Sequence, residues 1–325
     1  MSRRDQVKNS KVKNIVNKAH DIAVSTNKRD QYVGKICLDN LKIVFDEKTP
    51  DETVVLNETS YEFNKNKIYF IIGNSGSGKT TLLTHFNGLL KSKDGNILID
   101  RLSILGKKKK IKDIKKLRKK VGMVFQFPEY QLFKDTIEKD VMFGPINLGV
   151  PKAEAKKRAK YYLELLGLNE SFLERSPFNL SGGQKRRVAL AGILSIEPEI
   201  IIFDEPTAGL DPTGEQDMMK IITNLKQSGK TIFVITHVMD QVLSIGDEVL
   251  VIGDKKILAA GKPYNIFTND ELIRDNFLDR PKVIKVIYEL IKMDKKYKSL
   301  LEVQPRNVSE LADAIVDIMD GGKHE

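Results

Sequence analysis

Two carboxylates follow an apolar run in IIIFDEP (Ile200 to Pro206), and a lysine and a threonine close a glycine-rich string, GNSGSGKT (Gly73 to Thr80). These are side chains suited to phosphate chemistry. Glycines let a backbone turn tightly, so that successive N–H groups point inward at phosphate oxygens. Lys79 would reach the β- and γ-phosphates of a nucleoside triphosphate, and the Thr80 hydroxyl would ligate Mg²⁺. Asp204 would hold the same ion, directly or through its waters, while Glu205 would polarise the water that attacks the γ-phosphate. Two further polar residues end apolar stretches: Gln126 after Val121 to Phe125, and His237 after Thr231 to Thr236. In isolation Gln126 would be a polar strand end and His237 a satisfied structural histidine. Beside a phosphate loop, Gln126 fits a sensor of Mg²⁺ and the attacking water, and His237 fits a contact to the γ-phosphate.

Such residues need strands that all end on one side. The run Ile68 to Ile72 before the loop predicts a strand, and a helix is expected from Lys79, with its positive dipole end on the anion. The run Ile200 to Phe203 has no alternation, as expected of a parallel strand covered on both faces. The string LSGGQ (Leu180 to Gln184) opens a good helix from about Gln184, so the Ser181 hydroxyl and the helix N-terminus make a second anion site without a lysine. Pro151 predicts a helix over Lys152 to Leu166 that stops at Gly167. After Gly261 the pattern is helical again, as in Lys282 to Lys292 and Val308 to Met319.

The chain of 325 residues, 41% hydrophobic and 30% charged, can bury a substantial core. Its single cysteine, Cys37, gives neither a disulfide framework nor a CxxC metal site and reads as a core thiol. No signal peptide is expected, and no apolar run approaches the roughly 18 residues that span a bilayer. The net charge of +10 is localised. Residues 1–35 carry nine Lys/Arg against three Asp, and residues 107–120 ten Lys/Arg against one Asp, the latter in a link between Arg101 and the strand at Val121. The remainder is slightly acidic, which excludes a uniformly basic nucleic-acid binder. For both patches a solvated face and attraction to anionic lipid headgroups stand as alternative readings.

From about Ile36 to Phe267, with the phosphate loop, Gln126, LSGGQ, IIIFDEP and His237 in order, the chain resembles an ATP-binding cassette (ABC) ATPase. The strings VGMVFQFPEYQLFKDTIEKDVMFGPINLG, LSGGQKRRVALAGIL and DEPTAGLDP are similar to the ATP-binding A components of energy-coupling factor (ECF) transporters, relatives of the cobalt and nickel uptake ATPases. FGP (Phe143 to Pro145) resembles the second A paralogue more than the first.

The resemblance implies an α/β P-loop NTPase fold, an ABC-type nucleotide-binding domain over 35–267 with a helical subdomain at about 127–195. A basic extension (1–34) would precede it, and a helical extension (268–325) that helps pair two cassettes would follow. It further implies that Gly73, Asn74, Ser75, Gly76, Ser77, Gly78, Lys79 and Thr80, with Thr81, cradle the phosphates of ATP, and that Thr80, Gln126 and Asp204 surround Mg²⁺. Glu205 and His237 would act at the γ-phosphate. Ser181, with Gly182, Gly183 and Gln184, would complete the site of a partner cassette in a head-to-tail dimer, and Asp211 would signal across it. The adenine would stack on an aromatic residue upstream of the loop. Phe45 is the candidate, although the family usually has Tyr there and an acidic insertion (Asp46 to Glu52) follows; a core aromatic is the alternative reading. Asn66 stands at a turn where the family usually has Gly.

By the same resemblance the chain would be the ATP-hydrolysing subunit of an importer for a vitamin or metal ion, peripheral on the cytoplasmic face of the membrane. Its partners would be a second ABC ATPase (a copy or a paralogue), a transmembrane scaffold subunit and a substrate-binding membrane subunit. The segment Phe127 to Phe133 is the candidate contact for the scaffold's coupling helices, with a plain hydrophobic loop as the alternative. No nucleic acid is expected. A soluble ABC ATPase acting on nucleic acid or ribosomes is the other function class. It is disfavoured because only about a hundred residues, without sustained heptads, separate the two glycine motifs, and because the chain carries one cassette.

Overall fold

The strands that carry the chemistry are short and wholly apolar. Ile68–Ile72 (β3), Ile200–Asp204 (β7) and Thr231–Ile235 (β8) are buried at every position. Side chains on a strand alternate between faces, so an unbroken apolar run needs a core on each side. The chain supplies both. Ile68, Phe70, Ile72, Ile201, Phe203, Ile232 and Val234 enter one core, while Tyr69, Ile71, Ile200, Ile202, Phe233 and Ile235 enter the other.

In the computed structural model residues 35–321 are described, except 48, 93, 107–110 and 112. The expectations for residues 1–34, and the run Lys107 to Lys110, lie outside the described residues. Three more strands, Val121–Val124 (β6), Glu248–Gly253 (β9) and Lys256–Gly261 (β10), complete a six-stranded sheet in the order β10-β9-β3-β8-β7-β6. Its pairings are parallel except for the β9–β10 hairpin. A second, antiparallel sheet has the order β2-β1-β4-β5, built from Lys35–Phe45 (β1), Thr53–Asn64 (β2), Asp94–Ile99 (β4) and Leu102–Leu105 (β5).

The antiparallel sheet and the helices Lys79–Phe86 (α1) and Ile114–Lys120 (α2) cover one face of the parallel sheet. An aromatic knot sits there: Phe63 packs edge-on against Tyr69, Phe86 and Phe233. The other face is covered by Ile137–Asn147 (α3), Lys152–Leu165 (α4), Gly182–Leu194 (α5), Pro212–Gln227 (α6) and Met239–Ile245 (α7). Each fully buried Ile, Leu or Phe in these cores contributes about 1.5–3 kcal/mol.

Helix α4 follows Pro151 as expected, and its chain turns at Gly167, where φ is +78°. Asn66 keeps the left-handed turn with φ +60°, a conformation Asn tolerates better than most residues, and its N–H donates to Thr231 Oγ1 at 3.0 Å. Cys37 is buried, and burial pushes its thiol up.

The link between Arg101 and Val121 contains β5 and α2. Charge hides the helix in the sequence. Six of the ten residues from Ile111 to Lys120 are basic, yet Ile111, Ile114 and Leu117 recur every three positions and converge on Gly88, where an added Cβ would meet all three. Lys120, at the end of α2, joins an ion-pair network with Lys65, Asp100 and Glu199 that ties this helix end and two turns to the start of β7.

Beyond β10 come Pro263–Phe267 (α8), Asp270–Asp275 (α9), Lys282–Met293 (α10), Leu300–Val303 (α11) and Val308–Gly321 (α12). The tail is fastened to the core. Tyr264 donates to Pro305 O at 2.6 Å, Arg306 donates to the carbonyls of Leu243 and Gly246, and the N–H of Lys282 donates to Asp240. No helix among the described residues is long and apolar enough to cross a membrane.

Candidate functional site

Parallel strands in register end on one side of a sheet, and the loops after them form a crevice. Here Asp204 is level with Ile235, and Ile71 pairs with the same residue. The loops after β3, β6, β7 and β8 therefore open into one cleft of about 510 Å³. It is lined by Ser75, Gly76, Gly78, Lys79, Thr80, Thr81, Gln126, Asp204, Glu205 and His237, with Val55 and Ile235 as apolar walls.

The loop from Gly73 to Gly78 owes its shape to three glycines at φ +142°, +76° and +96°. Gly73 is obligatory for a second reason: a Cβ there would lie 2.1 Å from the Ile252 carbonyl oxygen of the neighbouring strand. Lys79 is buried and donates to the carbonyls of Gly73 and Asn74, each at 2.8 Å, which closes the loop on itself. Burial lowers the Lys79 ammonium, against the raising effect of the Glu205 and Asp204 carboxylates.

Thr80 Oγ1 donates to Asp204 Oδ1 at 3.2 Å. Burial raises the Asp204 carboxyl, opposed by the Thr80 hydrogen bond and the Lys79 charge. Glu205 has φ +50°, a strained value for this residue type, and its N–H is anchored on Ile235 O at 3.0 Å. That backbone turn aims its carboxyl at His237, whose Nε2 lies 3.3 Å away. Burial raises the Glu205 carboxyl as well, with His237 acting in the opposite sense. The cleft thus collects an ammonium, two desolvated carboxylates, a hydroxyl, an amide and an imidazole beside a turn whose glycines permit close backbone approach.

Gly73, Asn74 and Ser77 belong to the loop without lining the cleft; the Ser77 hydroxyl is buried with no hydrogen-bond partner. Phe45 does not line it either. It ends β1, 37% exposed and paired with Thr53, so it is not a core aromatic. Val55, two residues along β2, forms the wall instead, with its Cγ1 2.4 Å from where a Cβ on Gly78 would stand. No sequence signal marks Val55, because its role depends on a strand folding back over the loop.

The Ser-Gly-Gly string stands apart from the cleft. Ser181 caps α5 in a reciprocal box: its Oγ accepts from the N–H of Gln184, and Gln184 Oε1 accepts from the N–H of Ser181. Gly182 and Gly183 are exposed, with open space where side chains would stand. Asp211 caps α6 by accepting from Gly214 N–H at 2.7 Å. The chain therefore presents one lysine-bearing anion cleft and one separate, open helix N-terminus.

The ABC transporter family model matches residues 56–208. The ECF transporter ATP-binding protein EcfA2 of Mycoplasma pneumoniae is 55% identical over 280 residues, 86% of this chain and 92% of that protein. EcfA2 of Mycoplasmoides gallisepticum is 56% identical over 285 residues, 86% of this chain and 90% of that protein. Among solved structures, cbiO1 from Clostridium perfringens, part of the ABC transporter complex cbiONQ, aligns with TM-score 0.64 and 35% identity over 79% of this chain and 98% of that one. The ATP-binding cassette MJ0796, a dimer in a post-hydrolysis state bound to ADP and Pi, aligns with TM-score 0.62 and 28% identity over 70% of this chain and 98% of that one.

Proposed function

The chain belongs to the ATP-binding proteins of energy-coupling factor transporters, within the ABC ATPases, and we propose that it hydrolyses MgATP in a cassette dimer to drive uptake of a vitamin or metal ion through separate membrane subunits. The observation that carries this reading is the cleft in which Lys79, Thr80, Asp204, Glu205 and His237 converge while Ser181 faces elsewhere. One chain cannot bring both anion sites to the same triphosphate, so two chains are needed to complete each site.

In this reading the loop from Gly73 to Thr81 binds the phosphates, with the Lys79 ammonium released from the Gly73 and Asn74 carbonyls to the β- and γ-oxygens. Thr80, Asp204 and Gln126 offer only oxygen donors at close quarters, which suits Mg²⁺. Bound there, the ion neutralises phosphate charge. Glu205 orients and polarises the attacking water, and His237 contacts the γ-phosphate; both work by positioning and charge stabilisation. Ser181 to Gln184 would complete the partner's site, and Asp211 would lie at the seam.

The exposed aromatics Phe127, Tyr130 and Phe133 support docking of the scaffold's coupling helices on the helical region. Peripheral membrane attachment would follow. The exposed Lys115, Lys116, Arg118 and Lys119 of α2 would add attraction to anionic lipid at about 1 kcal/mol per charge near the surface. Capture of the tagged chain from detergent-solubilised membranes tests the proposal. Recovery of a second cassette and a multi-span scaffold is expected; recovery of ribosomes or DNA-bound proteins without a membrane subunit would contradict it.

A further inference from the structure

Of the two adjacent arginines in the string GGQKRR, one faces solvent in part and the other does not. Arg186 is 4% exposed, in the second turn of α5. An arginine cannot shed its charge, so burial requires that its donors be met. All three nitrogens are engaged. Nε donates to Glu129 Oε2 at 3.1 Å and Nη2 to Glu129 Oε1 at 3.2 Å, a bidentate pair. Nη1 and Nη2 both donate to the Ala208 carbonyl at 3.0 Å, and Nη1 reaches Pro206 O at 3.5 Å. The Phe127 ring lies 5.8 Å from the guanidinium carbon, and Phe127 Cε1 lies 3.3 Å from where a Cβ on Gly209 would stand.

These partners come from three functional segments. Glu129 and Phe127 follow Gln126; Pro206 and Ala208 lie between Glu205 and Asp211; Arg186 shares its helix with Ser181. Arg186 thus stands in one of these segments and bonds to the other two. We propose that Arg186 is a positioning residue: a charged joint that makes the Gln126 loop, the Glu205–Asp211 segment and the Ser181 helix move as one body. Through it, the geometry at the chain's own γ-phosphate site is transmitted to the groups it presents to a partner cassette. The inference rests on the ATPase reading above. Arginine is required because its planar fork serves a carboxylate and a carbonyl at once, which a lysine ammonium cannot do with the same geometry.

The test uses the purified membrane complex that contains this chain, with Arg186→Lys, which keeps the charge, and the isosteric Glu129→Gln. ATP affinity should stay within about twofold of wild type, since neither residue lines the cleft and a loss of that size is under about 0.4 kcal/mol. The kcat per folded molecule should fall about tenfold or more, because a misplacement on the order of 1 Å costs up to about 10²-fold. The double variant should be no worse than the poorer single one, as for two ends of one interaction. A kcat per folded molecule that matches wild type, losses that multiply in the double variant, or ATP affinity falling in step with melting temperature would each overturn the joint. Absence of hydrolysis in the wild-type complex would overturn the ATPase reading along with it.

Discussion

Replacing Gly73 by alanine should destabilise the chain far more than the same change at Gly76, three residues along the same loop. Both glycines have positive φ, +142° and +76°, so each alanine carries backbone strain of about 1–3 kcal/mol. Only Gly73 also collides. Its new Cβ would lie 2.1 Å from the Ile252 carbonyl oxygen, whereas nothing lies within 4 Å at Gly76. That oxygen is backbone in a paired strand and cannot rotate away, so relief requires a shift on the order of 1 Å between loop and strand, at about 1–3 kcal/mol more. The total for Gly73→Ala is about 2–6 kcal/mol. At roughly 2–4 °C per kcal/mol for a domain of this size class, the middle of that range lowers the melting temperature by about 12 °C, against about 6 °C for the middle of the range at Gly76→Ala. Thermal melts of the purified full-length variants would measure it. With ATP at about a hundred times its dissociation constant, wild type gains about 2.7 kcal/mol, a gain that Gly73→Ala should lose because the displaced loop no longer fits phosphate. Equal, small shifts for the two alanines would refute the close-approach argument.

Four further outcomes are expected. Gly78→Ala places a Cβ 2.4 Å from Val55 Cγ1, so Val55→Ala should recover about 1–3 kcal/mol of its cost in a double-mutant cycle of melts; additive losses would show that Val55 does not form the wall. Asp100→Ala removes the more buried of the two carboxylates that Lys65 and Lys120 share, leaving them the half-exposed Glu199, and should cost about 1–3 kcal/mol in urea unfolding; a change under about 0.5 kcal/mol would reduce the network to surface decoration. Tyr130→Ala with Phe133→Ser should diminish recovery of the scaffold while leaving the melting temperature of the isolated chain within about 2 °C, because both side chains are exposed; undiminished recovery would move the docking site elsewhere. Changing Lys115, Lys116, Arg118 and Lys119 to glutamine should weaken binding to vesicles with anionic lipid by about 1 kcal/mol per charge, and unchanged salt-sensitive binding would remove this helix from the membrane contact.

The site was legible in the sequence where local chemistry decides structure. A strand buried on both faces must read as an unbroken apolar run, so β3, β7 and β8 and the residues at their ends could be placed from Ile68, Ile200 and Thr231 onward. The FGP string likewise agreed with relatives named EcfA2. What stayed hidden depends on tertiary contact. The helix α2 was masked by its lysines, whose long side chains outnumber the three apolar residues that dock it. Val55 lines the cleft because β2 passes over Gly78, and Phe45, the aromatic candidate, ends β1 opposite Thr53, two residues before Val55, with about a third of its surface in solvent. Arg186 and Arg187 are indistinguishable as letters; only the fold buries one of them against Glu129 and Ala208. Asn66 shows the opposite case, where a departure from glycine left the turn intact because Asn adopts φ +60°.

ATP hydrolysis by the membrane complex captured on this chain, compared between wild type and Glu205→Gln at saturating ATP and Mg²⁺, tests the central claim most directly. The substitution keeps the shape of a side chain 3.3 Å from His237 while removing the carboxylate proposed to orient water. ATP binding should be preserved, and turnover should fall by about 10²-fold or more, the usual contribution of a positioned general base. Hydrolysis at the wild-type rate in Glu205→Gln would contradict the account.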